Sequence, residues 1–151
     1  MGFYDDAQRE VYYFPSAAFG ATTDSKKLIG PKGKKGYVRD VIAIISADMV
    51  GTTTVPEIAV GTSQGDATYG RFRLGTAVGT GYTSASSPRR ASQVGGNTLT
   101  DGTPVFEDFT GHVKMATSPI PADTAFFFSR VAGVGGTPAG TGEVYLVVDW
   151  Y

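Results

Sequence analysis

Glu143-Val144-Tyr145-Leu146-Val147-Val148-Asp149-Trp150-Tyr151 closes the chain and decides its class. Val144, Leu146, Val148 and Trp150 alternate with Tyr145, Val147, Asp149 and Tyr151, the two-residue period of a strand, with no 3.6-residue stripe. Trp150 falls in the apolar set and is expected to be buried. Working back, Ala125–Val131 holds Phe126, Phe127 and Phe128, so both of its faces are apolar. Tyr69–Leu74 alternates, with Phe72 and Leu74 expected inward and Tyr69, Arg71 and Arg73 outward. Thr53–Val60 places Ile58 and Val60 against Glu57 and Ala59. Tyr37–Ala47 is the longest β-branched run, centred on Val41-Ile42-Ala43-Ile44-Ile45. Glu10–Phe14, Lys26–Ile29 and Thr110–Thr117 complete eight strand candidates. Asp5–Val11 has acids in a possible first helical turn and reads equally as an extended arm.

Eight short strands bounded by Gly, Pro, Asn and Asp predict an all-β antiparallel sandwich with little or no helix. Parallel strands need long, usually helical crossovers, whereas these connections are rich in Gly, Ser and Thr. The longest, Gly75–Gly102, is expected to be functional or mobile, or to hide a short strand, with 91–100 the candidate. Gly133–Gly142 lacks the Gly-Lys-Ser/Thr and the following helix of a phosphate loop, so it reads as a flexible hairpin joining the last two strands. The apolar second faces of Tyr37–Ala47 and Ala125–Val131 require a cover, from the chain itself or from another subunit, and predict a homo-oligomer with a trimer favoured.

Composition narrows the chemistry. The 151 residues suit one domain with a core of its own. The absence of cysteine excludes disulfides and thiolate chemistry, and one histidine, His112, excludes a multi-histidine metal site. No apolar run approaches the ~20 residues of a membrane-spanning helix, and no basic-then-apolar leader opens the chain. A serine triad built from His112, Asp101 or Asp108 and one of Ser84, Ser86, Ser87, Ser92 or Ser118 lacks a nucleophile elbow. The adjacent pairs Asp5-Asp6 and Glu107-Asp108 point to opposite sides of an extended chain and do not form a glycosidase pair. The reading is therefore non-enzymatic, with no cofactor, no metal, no small-molecule substrate and no membrane partner.

Charge is unevenly placed. Net charge is −1, yet residues 1–39 carry seven basic and four acidic groups. Lys26, Lys27, Lys32, Lys34, Lys35 and Arg39 form a run without an acid. No aromatic interleaves the cations before Tyr37, so nucleic acid is not expected. Residues 1–36 are read as an N-terminal arm and basic loop, and 37–151 as the sandwich. Phe3, Tyr4, Tyr12, Tyr13 and Phe14 are the candidate apolar anchors to a partner. Lys32, Lys34 and Lys35 are the candidate steering charges toward an acidic protein surface. On this reading, deleting 1–14 leaves a folded sandwich that no longer binds. The rival is an edge strand over 10–14, whose loss unfolds the domain.

The C-terminal third carries a resemblance. Pro119-Ile120-Pro121-Ala122-Asp123-Thr124-Ala125, an aromatic strand, Gly136-Thr137-Pro138-Ala139-Gly140-Thr141-Gly142 and the closing strand resemble the end of small structural proteins of tailed-bacteriophage virions. Thr54-Val55-Pro56-Glu57-Ile58-Ala59-Val60-Gly61-Thr62, with Gly65-Asp66, is similar to the same group. The resemblance covers residues 37–151. It implies a jelly-roll-like sandwich that decorates or cements a capsid, contacts the major capsid protein, and is often a trimer. It also implies a protein made in the host cytoplasm and located on the capsid surface. A sugar- or receptor-binding module of a phage particle is the alternative.

Overall fold

The computed structural model describes residues 8–19, 23–77, 79–90 and 119–151. The chain is all-β, as the alternation predicts. Its strands are β1 (Gln8–Ala18), β2 (Asp24–Ile29), β3 (Gly36–Val50), β4 (Glu57–Gly61), β5 (Gly70–Arg73), β6 (Gly75–Ala77), β7 (Thr80–Gly81), β8 (Arg89–Arg90), β9 (Ala125–Val131) and β10 (Ala139–Trp150). Among the described residues the one helical piece is a 3₁₀ turn at Ser84–Ser86.

Two antiparallel four-stranded sheets form the layers. Sheet A has the order β1-β10-β3-β8 and sheet B the order β2-β9-β4-β5. The chain alternates between the sheets at each step along these eight strands, except in the β4–β5 hairpin. That winding is a jelly roll. The ribbon β6–β7 lies within the long connection after β5.

The inner faces supply one core. Val144, Leu146, Val148 and Trp150 of β10 meet Ile58 and Val60 of β4, Phe72 of β5, and Phe126 and Phe128 of β9. Aromatic pairs bridge the layers, with centroids 5.6 Å apart for Tyr12–Phe126, 5.0 Å for Phe14–Phe128 and 5.8 Å for Phe126–Trp150. Trp150 is 1% exposed, as its place in the alternation requires. Gly36 lies against its ring, where an added Cβ would sit 2.5 Å from Cζ3.

Several expectations are corrected. The arm at 1–36 is, in its described part, built into both sheets. β1 pairs with β10 from Gln8↔Trp150 to Ala18↔Thr141, and β2 pairs with β9 from Asp24↔Arg130 to Ile29↔Ala125. The helix considered at Asp5–Val11 is strand over Gln8–Val11. Deleting residues 1–14 would therefore remove most of a strand together with Phe14, which lies in the core at 4% exposure.

Gly133–Gly142 is a crossover and not a hairpin, since β9 and β10 belong to different sheets. It is pinned by the Thr54↔Val134 bridge and by Thr52 N–H donating to Gly135 O. The strand expected from Thr53 begins at Glu57, because Pro56 has no N–H for a ladder. Tyr69, expected outward, is buried, and Arg73 is buried as well. Tyr69 precedes β5, in the returning loop, and joins the core. Arg73 does face outward but lies beside Glu57, with Nε 3.5 Å from the carboxylate. The strand expected at Thr110–Thr117 and the short one sought at 91–100 lie outside the described residues. Arg89–Arg90 of the long connection does pair, with Ile42 and Ala43 of β3.

Candidate interaction surface

The outer faces of the two sheets differ. On sheet B, Ala59 and Ser129 are buried although they point away from the core. The loop between β4 and β5 lies over them: Gly65 N–H donates to Ser129 Oγ at 2.9 Å, and Gln64 Nε2 donates to Thr23 O. Asp66 organises this loop by accepting from Thr62 N, Thr62 Oγ1, Thr68 N and Thr68 Oγ1. These bonds, the Thr68 hydroxyl foremost, pull its carboxyl down to about 2. Further along, Glu57 lies between Arg71 and Arg73; burial raises its pKa, and the two guanidiniums oppose that rise. Here the chain supplies its own cover.

Among the described residues, no loop lies over the outer side of sheet A as one does over sheet B. The register aligns Val11 with Val147, and Tyr13 with Tyr145 and then Ile42. Val11 is 56%, Tyr13 41% and Ile44 39% exposed. Tyr13 stacks on Tyr145 with centroids 4.9 Å apart, and its hydroxyl donates to Glu143 Oε2 at 2.7 Å. That bond holds the Tyr13 phenol up at about 12. At one end Asp149, buried between two strands, accepts from Arg9 Nε at 2.7 Å and Arg39 Nε at 2.6 Å. The Arg9 hydrogen bond is the main reason its carboxyl lies below the ordinary range, and Arg39 adds to it. Tyr37 meets Tyr151 edge-on beside them. Tyrosine and arginine rich, apolar at the centre and charged at the rim, this face has the composition of a protein-binding surface.

The structure sorts the candidate anchors. Tyr13 alone of the described three stands on this face. Tyr12 points inward, edge-on to Phe126, with its hydroxyl on Glu10; burial foremost raises its pKa. Phe14 is core, with Arg130 4.6 Å and Lys26 5.2 Å from its ring centroid. Neither Tyr12 nor Phe14 is free to anchor a partner, which corrects that assignment. Phe3 and Tyr4 lie outside the described residues.

Lys32, Lys34 and Lys35 sit on the β2–β3 loop, with Lys32 and Lys35 exposed. This loop is held rather than loose. Gly33, at φ +75°, donates its N–H to Asp123 Oδ1 at 2.8 Å. Lys35 exchanges backbone hydrogen bonds with Tyr151, and Gly36 does so with Ile120. The loop therefore stands at the Asp149 end of sheet A. Tyr13 pairs five residues before Trp150 along β10, so it lies about 17 Å from that end at ~3.3 Å per residue. Lysines and tyrosine do not form one compact site.

The sequence marks this row only in part, because Val11, Tyr145 and Val147 come into line with the apolar face of β3 only through the pairing of β10 between β1 and β3. The signal available was the second apolar face of Tyr37–Ala47. Of the catalytic candidates, Ser87 Oγ accepts the Ile45 N–H at 2.8 Å and Ser84 N–H donates to Asp48, both in holding the β3 edge. His112, Asp101, Asp108, Glu107, Ser92 and Ser118 lie outside the described residues. Among the described residues no group of three metal-ligating side chains occurs. A comparison with known family models and with curated proteins finds no match to the chain.

Proposed function

We propose that this chain is a non-enzymatic structural protein of a tailed-phage particle, which decorates or cements the capsid shell through protein–protein contacts. The observation that carries the reading is the outer face of sheet A, which no described loop covers. Its tyrosine, valine and isoleucine row, flanked by Arg9 and Arg39, is a surface that gains by being covered with protein. The jelly-roll winding supports it, since capsid proteins use that fold, although sugar-binding domains use it too and a fold alone does not set function. The resemblance of residues 37–151 to small virion proteins supports it further. Burial of Trp150 takes the one tryptophan away from the sugar-binding alternative.

In this reading Lys32 and Lys35, on their braced loop, steer the chain toward an acidic patch of the major capsid protein. The test is co-sedimentation of the purified chain with particles stripped of it. Binding should weaken with salt, and Lys32→Glu with Lys35→Glu should slow it and flatten the salt dependence. A chain that never sediments with such particles contradicts the proposal.

A further inference from the structure

We infer that the outer face of sheet A is covered by the same face of a second copy, related by a two-fold axis in the interface plane at right angles to the strands. The inference rests on the reading of that face as protein-binding. Its warrant is the way charge is sorted along the strands. Asp149 with Arg9 and Arg39 marks one end, a trio with one net positive charge, and exposed Lys35 stands beside it. Glu143 marks the other end, where its partner among the described residues is the neutral Tyr13 hydroxyl. Asp48, exposed on β3, lies further the same way.

Between the ends lie Val11, Val147, Tyr13, Tyr145 and Ile42. The row of Tyr12, Leu146 and Val41 marks the midpoint. Asp149 is three residues past Leu146 and Glu143 three before it, about 10 Å each way at ~3.3 Å per residue. A two-fold axis across the strands at that midpoint sets each basic end on the partner's acidic end and Tyr13 near its own copy. Such self-complementarity is what an isologous interface demands. An axis along the strands would place arginines on arginines instead. A partner of uniform charge would suit one end only. The Arg90–Asp40 pair, 3.8 Å apart on the β8 side, is neutral in itself and does not bias the choice.

Three long strands ~4.8 Å apart and about ten residues long give a footprint of roughly 500 Å² per copy. Stable interfaces bury ~800 Å² per partner, so the dimer should be weak, with Kd in the micromolar range. The experiment is sedimentation equilibrium of the full chain from about 1 to about 200 µM, a span bracketing that range. Val11→Asp tests the centre of the face. Glu143→Lys makes both ends basic, which should repel a second copy while leaving an acidic partner attracted. Ile29→Asp, at an exposed site on sheet B, is the control.

The wild type and Ile29→Asp should dimerise alike, with Val11→Asp and Glu143→Lys raising Kd at least about tenfold, as charge placed in an apolar or cationic contact does. Melting temperatures should stay close to wild type, which separates lost association from lost folding. A wild type that stays monomeric throughout, or a dimer indifferent to both variants, overturns the inference. A monomer whose binding to stripped particles is lost in Val11→Asp gives the face to the shell protein, so the second copy falls while the functional proposal stands. A dimer as described that ignores particles keeps the inference and removes the functional proposal.

Discussion

Phe14→Ala measures whether the N-terminal strand belongs to the core. The ring is 4% exposed, 5.0 Å from the Phe128 ring, and carries the Arg130 guanidinium at 4.6 Å. Removing a buried phenylalanine costs about 3–5 kcal/mol, transfer and cavity together. The lost cation–π contact falls partly within that range and adds at most about 1 kcal/mol. Arg130 keeps its ion pair with Asp24 and its place over the Phe19 ring, so the cost falls mainly on the packing of the lost ring. A loss of about 4 kcal/mol is therefore expected, a large share of the ~5–15 kcal/mol of a domain. At ~2–4 °C per kcal/mol, the midpoint should fall by roughly 8–16 °C. Trp150 is the sole tryptophan and is buried, so its fluorescence during urea or thermal unfolding reports the core directly. Val11→Ala, on the outer face of the same strand, should cost under about 1 kcal/mol. A Phe14→Ala protein that unfolds at the wild-type urea midpoint would refute the built-in strand and restore a detachable arm.

Three further outcomes follow from the same geometry. Gly36→Ala drives a methyl to within 2.5 Å of the Trp150 ring; overpacking of this kind costs about 1–3 kcal/mol, and a shift in Trp150 emission should accompany the lower melting temperature. Asp66 contributes stability that is complete above its unfolded pKa near 3.8 and is lost as pH falls through about 2; Asp66→Asn should lower the melting temperature at pH 7 and reduce its slope between pH 4 and pH 2, and an unchanged slope counts against the loop anchor. Asp149→Asn leaves Arg9 and Arg39 without their carboxylate; because both arginines are largely solvated, the loss should be about 1–2 kcal/mol by urea titration, and should shrink in the acid range where the wild-type carboxylate is itself protonated.

The fold was legible where one face of a strand is polar or the strand is fully apolar. β10 and β9 could be placed from Val144 to Trp150 and from Phe126 to Phe128 because their periods leave no helical reading. β1 was harder. Its inward Tyr12 and Phe14 alternate with outward Val11 and Tyr13, and with aromatic or aliphatic residues on both faces the polar contrast that marks a strand disappears. Lys26 misled in the same region, since its charge lies at the rim between the layers, over Phe14 and bonded to Tyr13 O. The glycine run 133–142 shows the limit of turn signals: they mark a reversal but not which sheet the chain enters next. The outer face of sheet A was half visible, as an apolar surplus in β3. Its alignment with Val11, Tyr13, Tyr145 and Val147 depends on β10 lying between β1 and β3, a pairing across more than 100 residues that no local pattern encodes.

As proposed, this jelly roll works as a protein-covered component of a particle surface. Electron cryomicroscopy of the native particle purified from cells that make the chain tests it most directly. The proposal predicts density for the two-sheet sandwich on the outside of the shell, with the Lys32–Lys35 loop toward the capsid protein and the Val11–Tyr145 row buried against protein. Particles whose shell lacks that density, or in which the row faces bare solvent, would contradict it.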